Sequence, residues 1–287
     1  MLTNSLWGDM QHYLRYGSVV VKLVLVNVVV YLLGNIAWLI FSVIHNDAAY
    51  ALMNSYLCLP VSFAGVLHQP WSLITYMFYH NGFFHILFNM IMLYWGGEMF
   101  VLHLGEQKVV ALYIYGGFCG ALFFLLGHAF LPSLQLLPFP LIGASAAALA
   151  FLFAAVAMNP NYEIYIFRSG PFKLKYIAGI LFVVYLLSAF YFKSGQGSNL
   201  AHIGGALGGF LYIKLLQQGY DIFKPLAIFN RNPPVKMSYK NPGNASVKER
   251  GQSEQARVDE ILDKIARSGY ESLSKDDKDF LFRYSKK

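Results

Sequence analysis

Apolar runs separated by short polar segments fill most of this chain. A helix that crosses a lipid bilayer needs about 20 mostly apolar residues, and six runs approach or reach that length, although the fourth is short. The pattern therefore predicts an all-α polytopic membrane protein with six transmembrane spans. Spans 1 to 6 are expected near residues 18–44, 83–103, 109–131, 142–158, 174–193 and 200–218.

Polar and charged residues prevail after the sixth span. Residues 229–252 are rich in Pro, Asn, Gly and basic side chains, a composition typical of a linker. Beyond the linker, apolar residues at helical spacing end at Gly269, and Ser274 followed by two aspartates marks the start of a second helix. The sequence predicts three parts, which are a membrane domain over 1–228, the linker, and a small cytoplasmic helical hairpin over 253–287.

Composition and charge agree with a membrane protein and set its orientation. Of the 287 residues, 56% are hydrophobic and 13% are charged, whereas a soluble domain carries about 25% charged residues. Loops 45–82 and 132–141 contain no Lys or Arg, and the loops on the other side of the membrane hold basic residues. By the positive-inside rule, both termini are cytoplasmic. The basic residues that decide this are Arg15, Lys22, Lys108, Arg168, Lys173 and Lys175.

The net charge of +7 follows from this topology and from the basic tail, so no nucleic-acid partner is expected. The first 17 residues are polar and offer no small-residue cleavage site, so the first span is expected to remain. The tail partner is left open, with a protein and the anionic inner leaflet as candidates. A solvated appendage with at most a regulatory effect is the favoured interpretation.

Five polar residues interrupt the apolar runs near the outer ends of spans 2, 4 and 6. His85 and Asn89 lie one turn apart on span 2, and His80 just precedes that span. Ser145 lies about one turn into span 4, and His202 lies in the first turn of span 6. At a rise of about 1.5 Å per residue, all five are expected within roughly 10 Å of one another in depth. Since ionisable groups inside a membrane are costly and mark functional sites, these residues predict one site.

Small residues allow spans 4 and 6 to approach closely, because glycine and alanine recur at four-residue spacing along both. Such an approach brings the Ser145 hydroxyl within hydrogen-bond reach of the His202 ring. Neutral histidine is the general base that activates a serine at neutral pH. Asn89, His85 and the Ser145 N–H are candidate donors to an oxyanion. No acidic residue lies near the outer end of any span, so the sequence predicts a dyad rather than a triad.

Three motifs, in this order, resemble the rhomboid family of intramembrane serine proteases. They are HNGFFHILFN on span 2, the Gly-x-Ser context of GAS on span 4, and GSNLAHIGGALGG on span 6. The resemblance covers about residues 15–220 and implies a six-helix rhomboid-like bundle. It also implies that Ser145 is the nucleophile, that His202 is the base, and that His85 and Asn89 are oxyanion-hole donors.

The resemblance assigns supporting positions and contains two departures. His80 would belong to the polar wall of the site, and Gly143 opens the Gly-x-Ser motif. Many relatives have glycine directly after the serine, where this chain has Ala146. Many also carry an aromatic residue that stacks on the catalytic histidine, where this chain has Leu149, which packs but offers no ring.

The resemblance implies that the substrates are single-span membrane proteins, cleaved in or near the outer part of their transmembrane segment without metal or cofactor. The expected location is a bacterial inner membrane, as a multi-pass protein in contact with lipid. One alternative is a catalytically inactive relative that binds transmembrane clients, which the presence of both Ser145 and His202 disfavours.

A second alternative is a transporter or channel that uses the His/Asn cluster as a path for protons or a metal. Polar groups gathered at one depth disfavour a path through the membrane. A metal site is further disfavoured because His80 and His85, five residues apart, would point about 140° away from each other on a helix, although a loop at His80 would relax this constraint.

Overall fold

The computed structural model of the chain describes residues 16–135, 139–165, 171–191 and 196–224, together with 258, 260–262, 264–265 and 273–284 of the tail. The backbone contacts divide the chain into two units, Met1–Arg231 and Asn232–Lys287, and each is described by itself. The predicted linker over 229–252 lies outside the described residues.

Helices make up the first unit and lie where the apolar runs predict them. In chain order they are α1 (Val19–Val43), α2 (Asp47–Leu57), α3 (Phe63–His68), α4 (Ser72–Thr75), α5 (Phe83–Leu104), α6 (Val109–Phe130), α7 (Pro132–Gln135), α8 (Ser145–Met158), α9 (Leu174–Tyr191) and α10 (Gln196–Gln217). Helices α1, α5, α6, α8, α9 and α10 occupy the places of predicted spans 1 to 6. A 3₁₀ turn, Glu106–Lys108, precedes α6. An antiparallel hairpin of β1 (Glu163–Tyr165) and β2 (Pro171–Lys173) precedes α9 and departs from the all-α expectation.

In the described part of the chain, four helices are long and apolar enough to cross a membrane. They are α1, α5, α6 with its 3₁₀ turn, and α9. Helix α8 is apolar but has only 14 residues, as its short apolar run predicts. Helix α10 has 22 residues but begins with the polar sequence QGSNLAH. The chain is an integral membrane protein, and the count of six spans remains a prediction.

Helix α8 lies at the centre of the first unit, with α5, α6 and α10 packed around it. Glycines of α10 face its alanines. A Cβ atom on Gly205 would lie 2.1 Å from the carbonyl oxygen of Ala146, and one on Gly209 would lie 2.0 Å from that of Ala150. The predicted close approach of spans 4 and 6 is confirmed. It holds the first turns of α8 and α10 side by side.

Helix α6 contacts α8 in the same manner from another side. A Cβ atom on Gly116 would lie 2.4 Å from the Cβ of Ala150, and one on Gly120 would lie 2.4 Å from the Cβ of Ala146. Interiors this tightly packed leave no room for extra atoms. Helix α8 is therefore held between two glycine-bearing helices.

The segment between α1 and α5 holds the backbone that leads into α8. Leu59 and Leu141 exchange two backbone hydrogen bonds. The Gly143 N–H donates to the Tyr76 carbonyl at 2.8 Å, and the Tyr76 hydroxyl donates to the Gly117 carbonyl of α6 at 2.6 Å. The chain just before α8 is therefore tied to α6 through this segment.

Polar contacts join helix ends at the opposite side of the unit. The Ser18 hydroxyl caps α1 by accepting a hydrogen bond from the Val21 N–H, and it donates to the Glu98 carboxylate of α5 at 2.6 Å. Lys108, just before α6, forms an ion pair of 2.6 Å with Asp221, just after α10. These contacts hold together the helix ends that lie far from the start of α8.

In the second unit, helix α11 (Lys275–Tyr284) begins where the sequence predicts. Ser274 caps it, because its hydroxyl oxygen accepts a hydrogen bond from the Asp277 N–H at 3.2 Å. The described residues between 258 and 265 are helical, and Ile261 among them is buried. The predicted end of that helix at Gly269 lies outside the described residues, and the cytoplasmic position of the tail stays a prediction.

Candidate active site

Ser145 and His202 lie in direct contact. The Ser145 Oγ and the His202 Nε2 are 2.7 Å apart, and the serine is 8% exposed. Two positions differ from the sequence prediction. Ser145 is the first residue of α8 rather than one turn into it, and His202 lies in the second turn of α10 because that helix begins at Gln196.

Gly143 explains why α8 begins at Ser145. Its φ of +104° lies in the region that favours glycine over all other residues, so the helix does not extend back through it. A Cβ atom here would also lie 2.6 Å from the His85 Nε2 and 3.5 Å from the Asn89 Nδ2. The missing side chain lets both polar groups approach the backbone two residues before the serine.

Asn89 carries a donor that is buried close to Gly143. Its side chain is 4% exposed, and its Nδ2 has no hydrogen-bond partner among the residues that the structure describes. An unsatisfied buried donor costs about 1–3 kcal/mol, so a function that supplies an acceptor explains why the group is there. His85 lies one turn earlier on the same helix. The two predicted oxyanion donors therefore lie together at Gly143.

His80 holds the backbone of the same turn. Its Nε2 accepts a hydrogen bond of 3.2 Å from the Ala144 N–H, and its Nδ1 lies 3.1 Å from the carbonyl oxygen of Phe78. These partners place the proton on Nδ1, because a carbonyl only accepts and an N–H only donates. The imidazole lies edge-on to the His85 ring, with centroids 5.1 Å apart. His80 thus lies in the wall of the site and orients the chain entering α8.

His80 precedes α5, which begins at Phe83. The separation of about 140° expected for His80 and His85 on one helix therefore does not apply, as anticipated for a loop at His80. The described residues contain no group of three or more His, Cys, Asp or Glu side chains that could hold a metal ion. Catalysis without a metal stays a prediction.

Tyr185 of α9 contacts the His202 ring, and it was not among the residues predicted from sequence. The ring centroids are 4.4 Å apart and the planes are inclined by 59°. Leu149, one turn after Ser145, is fully buried and supplies no ring. The sequence signal for Tyr185 is the stripe of helically spaced positions that α9 turns inward. Its members are Ala178, Phe182, Tyr185 and Ala189.

The second nitrogen of the His202 ring is buried without a partner. Its Nδ1 makes no hydrogen bond within the described part of the chain. In a triad that nitrogen donates to a carboxylate, which fixes the tautomer and the orientation of the ring. Among the described residues, the His202 ring is held by its contact with Ser145 and by packing, and a catalytic dyad stays a prediction.

A cavity of about 600 Å³ lies beside the turn that precedes α8. Ile142 and Gly82 belong to its lining and are chain neighbours of the site. The rest of its polar lining is uncharged and comes from α1, α2 and the segment before α5. The groups that supply it are the amides of Asn35, Asn54 and Asn81 and the hydroxyls of Tyr50 and Tyr79.

The chain matches the family model of the Rhomboid domain over residues 67–219. That segment is more than half of the chain and includes all five polar residues of the site. The chain belongs to the rhomboid family. Rhomboids are in general serine intramembrane proteases, although some members are inactive. The tail of this rhomboid matches a second model, a family of unknown function (DUF6576), over residues 246–287.

Similar rhomboids occur in a plant and in a bacterium. RHOMBOID-like protein 12, mitochondrial, of Arabidopsis thaliana is 27% identical over 219 residues, which is 70% of this chain and 59% of that protein. RHOMBOID-like protein 7 of Arabidopsis thaliana is 32% identical over 149 residues, 50% of this chain and 42% of that protein. Rhomboid protease GluP of Bacillus subtilis (strain 168) is 27% identical over 142 residues, 49% of this chain and 25% of that protein. The chain thus spans between a quarter and three fifths of these relatives, and a bacterial location stays a prediction.

Proposed function

We propose that this rhomboid is a serine endopeptidase that cleaves single-span membrane proteins in or near the outer part of their transmembrane segment. Ser145 is the nucleophile and His202 is the general base. The observation that carries the proposal is the distance of 2.7 Å between the Ser145 Oγ and the His202 Nε2. A serine hydroxyl becomes a competent nucleophile when an adjacent base accepts its proton, and this distance allows direct transfer.

The reaction proceeds by acyl transfer. The Ser145 Oγ attacks the scissile carbonyl carbon while its proton passes to the His202 Nε2. The tetrahedral intermediate then collapses, and the C–N bond breaks as His202 returns the proton to the leaving amine. A water molecule attacks the resulting ester with His202 again as base, which releases the new carboxyl end and restores the Ser145 hydroxyl.

The oxyanion of the tetrahedral intermediate is stabilised by Asn89, His85 and the Ser145 N–H. The Asn89 Nδ2 is buried and has no acceptor among the described residues, so the developing negative charge supplies the missing partner. Donors that are already oriented and shielded from water stabilise such a charge at no cost of reorganisation. Gly143 keeps the space beside these donors open, and His80 fixes the turn through the Ala144 N–H.

The substrate segment reaches the site in an extended conformation, because a helical carbonyl is shielded from attack. Unwinding frees backbone N–H and C=O groups, which need partners at membrane depth. The cavity beside Gly82 and Ile142 offers amide and hydroxyl side chains that both donate and accept. We infer that this cavity receives the unwound residues next to the scissile bond.

The membrane topology is a separate part of the proposal. We infer that the chain spans the membrane six times with both termini cytoplasmic.

The test is proteolysis by the purified full-length protein in liposomes that contain a single-span substrate. Ser145→Ala and His202→Ala are each expected to abolish cleavage, because nucleophile and base act as a unit. Ser188→Ala and His103→Ala, a serine and a histidine outside the site, are matched controls and retain activity. Mass mapping of the products locates the cleaved bond.

A fluorophosphonate probe gives a second measurement that needs no substrate. The probe is expected to label Ser145 in the unmodified protein, and His202→Ala prevents the labelling. Full cleavage by a folded Ser145→Ala protein contradicts the proposed mechanism. Labelling that persists unchanged in His202→Ala assigns activation of the serine to another group.

A further inference from the structure

We propose that Tyr185 is a positioning residue that holds His202 in the orientation needed to accept the serine proton. The inference rests on the proposed function, in which His202 is the base. It begins from a property of the histidine. Its Nε2 contacts Ser145, but its Nδ1 is buried and has no hydrogen-bond partner in the part of the chain that is described.

An imidazole with one hydrogen bond has no second hydrogen bond to fix its side-chain torsions. Rotation about χ2 by a few tens of degrees moves Nε2 away from the serine, since that torsion of histidine is broad and weakly restrained. Where a triad is present, the bond at Nδ1 prevents this rotation. In this site the restraint must come from the atoms packed against the two faces of the ring.

Tyr185 places an aromatic ring in contact with that imidazole. Its centroid lies 4.4 Å from the His202 centroid at an inclination of 59°, within the range over which inclined aromatic rings attract each other. Leu149, the residue one turn after the nucleophile, provides methyl groups and no ring. The restraint on the base therefore comes from α9, a different helix from the one that carries the nucleophile.

Tyr185 is itself held by neighbours on three elements. It packs against a buried cluster that joins α9 to α10 and to α7. Phe182, one turn earlier on α9, contacts α8, because its ring centroid lies 5.9 Å from that of Phe153. The buried members of the cluster are Leu134, Ala189, Leu200 and Ile203. The position of α9 is thereby transmitted to the base, and a shift of α9 away from α10 withdraws the ring from His202.

The opposite face of α9 does not contribute to this restraint. Ile180, Val183 and Leu187 are each at least 51% exposed, and Tyr176 on the same helix is 60% exposed. Tyr176 is therefore a matched control for Tyr185. It has the same side chain on the same helix but makes no ring contact with His202.

The experiment compares Tyr185→Leu, Tyr185→Phe and Tyr176→Leu in the full-length protein, by steady-state cleavage of a single-span substrate in liposomes across pH 5 to 9. We expect Tyr185→Leu to lower kcat by about three- to tenfold with little change in KM, because one aromatic contact restrains the base. Its pH profile is expected to shift, since the surroundings of His202 change. Tyr185→Phe keeps the ring and restores both rate and profile, and Tyr176→Leu matches the unmodified protein.

A spectroscopic measurement separates this inference from the proposed function. In a Ser145→Ala background, NMR relaxation of the His202 ring is expected to show increased ring motion with Tyr185→Leu and unchanged motion with Tyr185→Phe. Cleavage that survives Ser145→Ala refutes the proposed function, whereas the His202 signals report on Tyr185 in either case. If Tyr185→Leu unfolds the protein, Tyr185→Met replaces it as a ringless variant of similar length. A ringless variant whose His202 ring motion, rate and pH profile match those of Tyr176→Leu overturns the inference.

Discussion

Gly143 shows how one residue sets the chemistry of this site. Its positive φ ends the extended chain and starts α8 at Ser145, and its hydrogen atom occupies the space that a side chain would take from His85 and Asn89. The same turn is fixed from the other side, where His80 accepts a hydrogen bond from the Ala144 N–H. A turn of three residues thus positions the proposed nucleophile, the proposed oxyanion donors and the backbone between them.

The first prediction concerns the oxyanion donors. Asn89→Asp keeps the shape of the side chain but replaces the donor by an acceptor, and His85→Ala removes the neighbouring donor. Each is expected to lower kcat on the order of 10²–10³-fold, the loss measured when one oxyanion donor is removed. Steady-state kinetics with a single-span substrate measures the effect. Asn159→Ala, an exposed asparagine at the end of α8, is the control, and unchanged rates in both site variants would place the oxyanion hole elsewhere.

The second prediction concerns Gly143→Ala. The new Cβ would lie 2.6 Å from the His85 Nε2 on a backbone with φ of +104°, so the ring or the turn must move. Activity is expected to fall by at least tenfold, because misplacement of catalytic groups by about 1 Å is enough to cost 10²-fold. Gly179→Ala, whose Cβ meets nothing within 4 Å, is expected to behave as the unmodified protein. Cleavage by Gly143→Ala at the unmodified rate contradicts this account of the turn.

Sequence predicted which polar residues meet but not how they are arranged. Spacing on spans 2, 4 and 6 was enough to bring Ser145, His202, His85 and Asn89 together. It did not indicate that Ser145 begins its helix, because a positive φ at Gly143 depends on the backbone path and not on hydrophobic period. It also did not reveal Tyr185, because periodicity shows which face of α9 is buried but not which residue of another helix that face meets.

At the scale of elements, apolar runs predicted the places of six helices of the first unit, including α8 with its 14 residues. The predicted bounds of 83–103 and 109–131 compare with Phe83–Leu104 and Val109–Phe130. The apolar run predicts a start of the last span at residue 200, whereas α10 starts at Gln196. The prediction misses the first turn because that turn is polar and lies outside the apolar run. Helix starts made of polar residues are therefore what a hydropathy pattern places least well.

The third prediction concerns the ion pair that joins the start of α6 to the end of α10. Burial by itself raises the pKa of the Asp221 carboxyl, but hydrogen bonds from Lys108 and the Phe223 N–H, together with the charges of Lys108 and Lys224, lower the pKa below its usual value. A carboxyl with a lowered folded-state pKa stabilises the fold above its unfolded-state pKa of about 3.9. That stabilisation disappears as the pH falls through the folded-state pKa.

Asp221→Asn is therefore expected to lower the thermal midpoint of the detergent-solubilised protein at pH 7, by an amount corresponding to at most about 1 kcal/mol for a partly exposed pair. The difference from the unmodified protein is expected to vanish below the folded-state pKa. Glu106→Gln, which removes an exposed carboxylate in the adjacent 3₁₀ turn, is the control. A difference between Asp221→Asn and the unmodified protein that persists undiminished in acid would show that the ion pair is not its cause.

At the scale of the whole molecule, the polar groups of the site and the basic residues lie at opposite helix ends. Ser145 and His202 are near the first residues of α8 and α10, whereas the Lys108–Asp221 ion pair lies after α10 and before α6. In the predicted topology the site therefore opens toward the outer face and the tail toward the cytoplasm. Labelling of single cysteines introduced at the exposed residues Leu67 and Gln218 tests this orientation. A reagent that does not cross the membrane is expected to reach position 67 from outside and position 218 from inside.

The last prediction concerns the tail, which follows α10 at the end far from the site. At about 1.5 Å per residue, α10 runs about 22 Å from His202 to its end at Gln217. A linker rich in Pro, Gly and Asn transmits force poorly, so we expect removal of the tail to leave the Ser145–His202 pair unchanged. A chain ending at residue 228 is expected to cleave a single-span substrate in detergent at a rate within about twofold of the full chain. A twofold change corresponds to well under the 1.36 kcal/mol of activation free energy that a tenfold change represents. Expression level and substrate choice in cells are the properties that a regulatory tail would change. A truncated protein that is folded and helical but inactive in detergent would instead make the tail an allosteric element of this rhomboid.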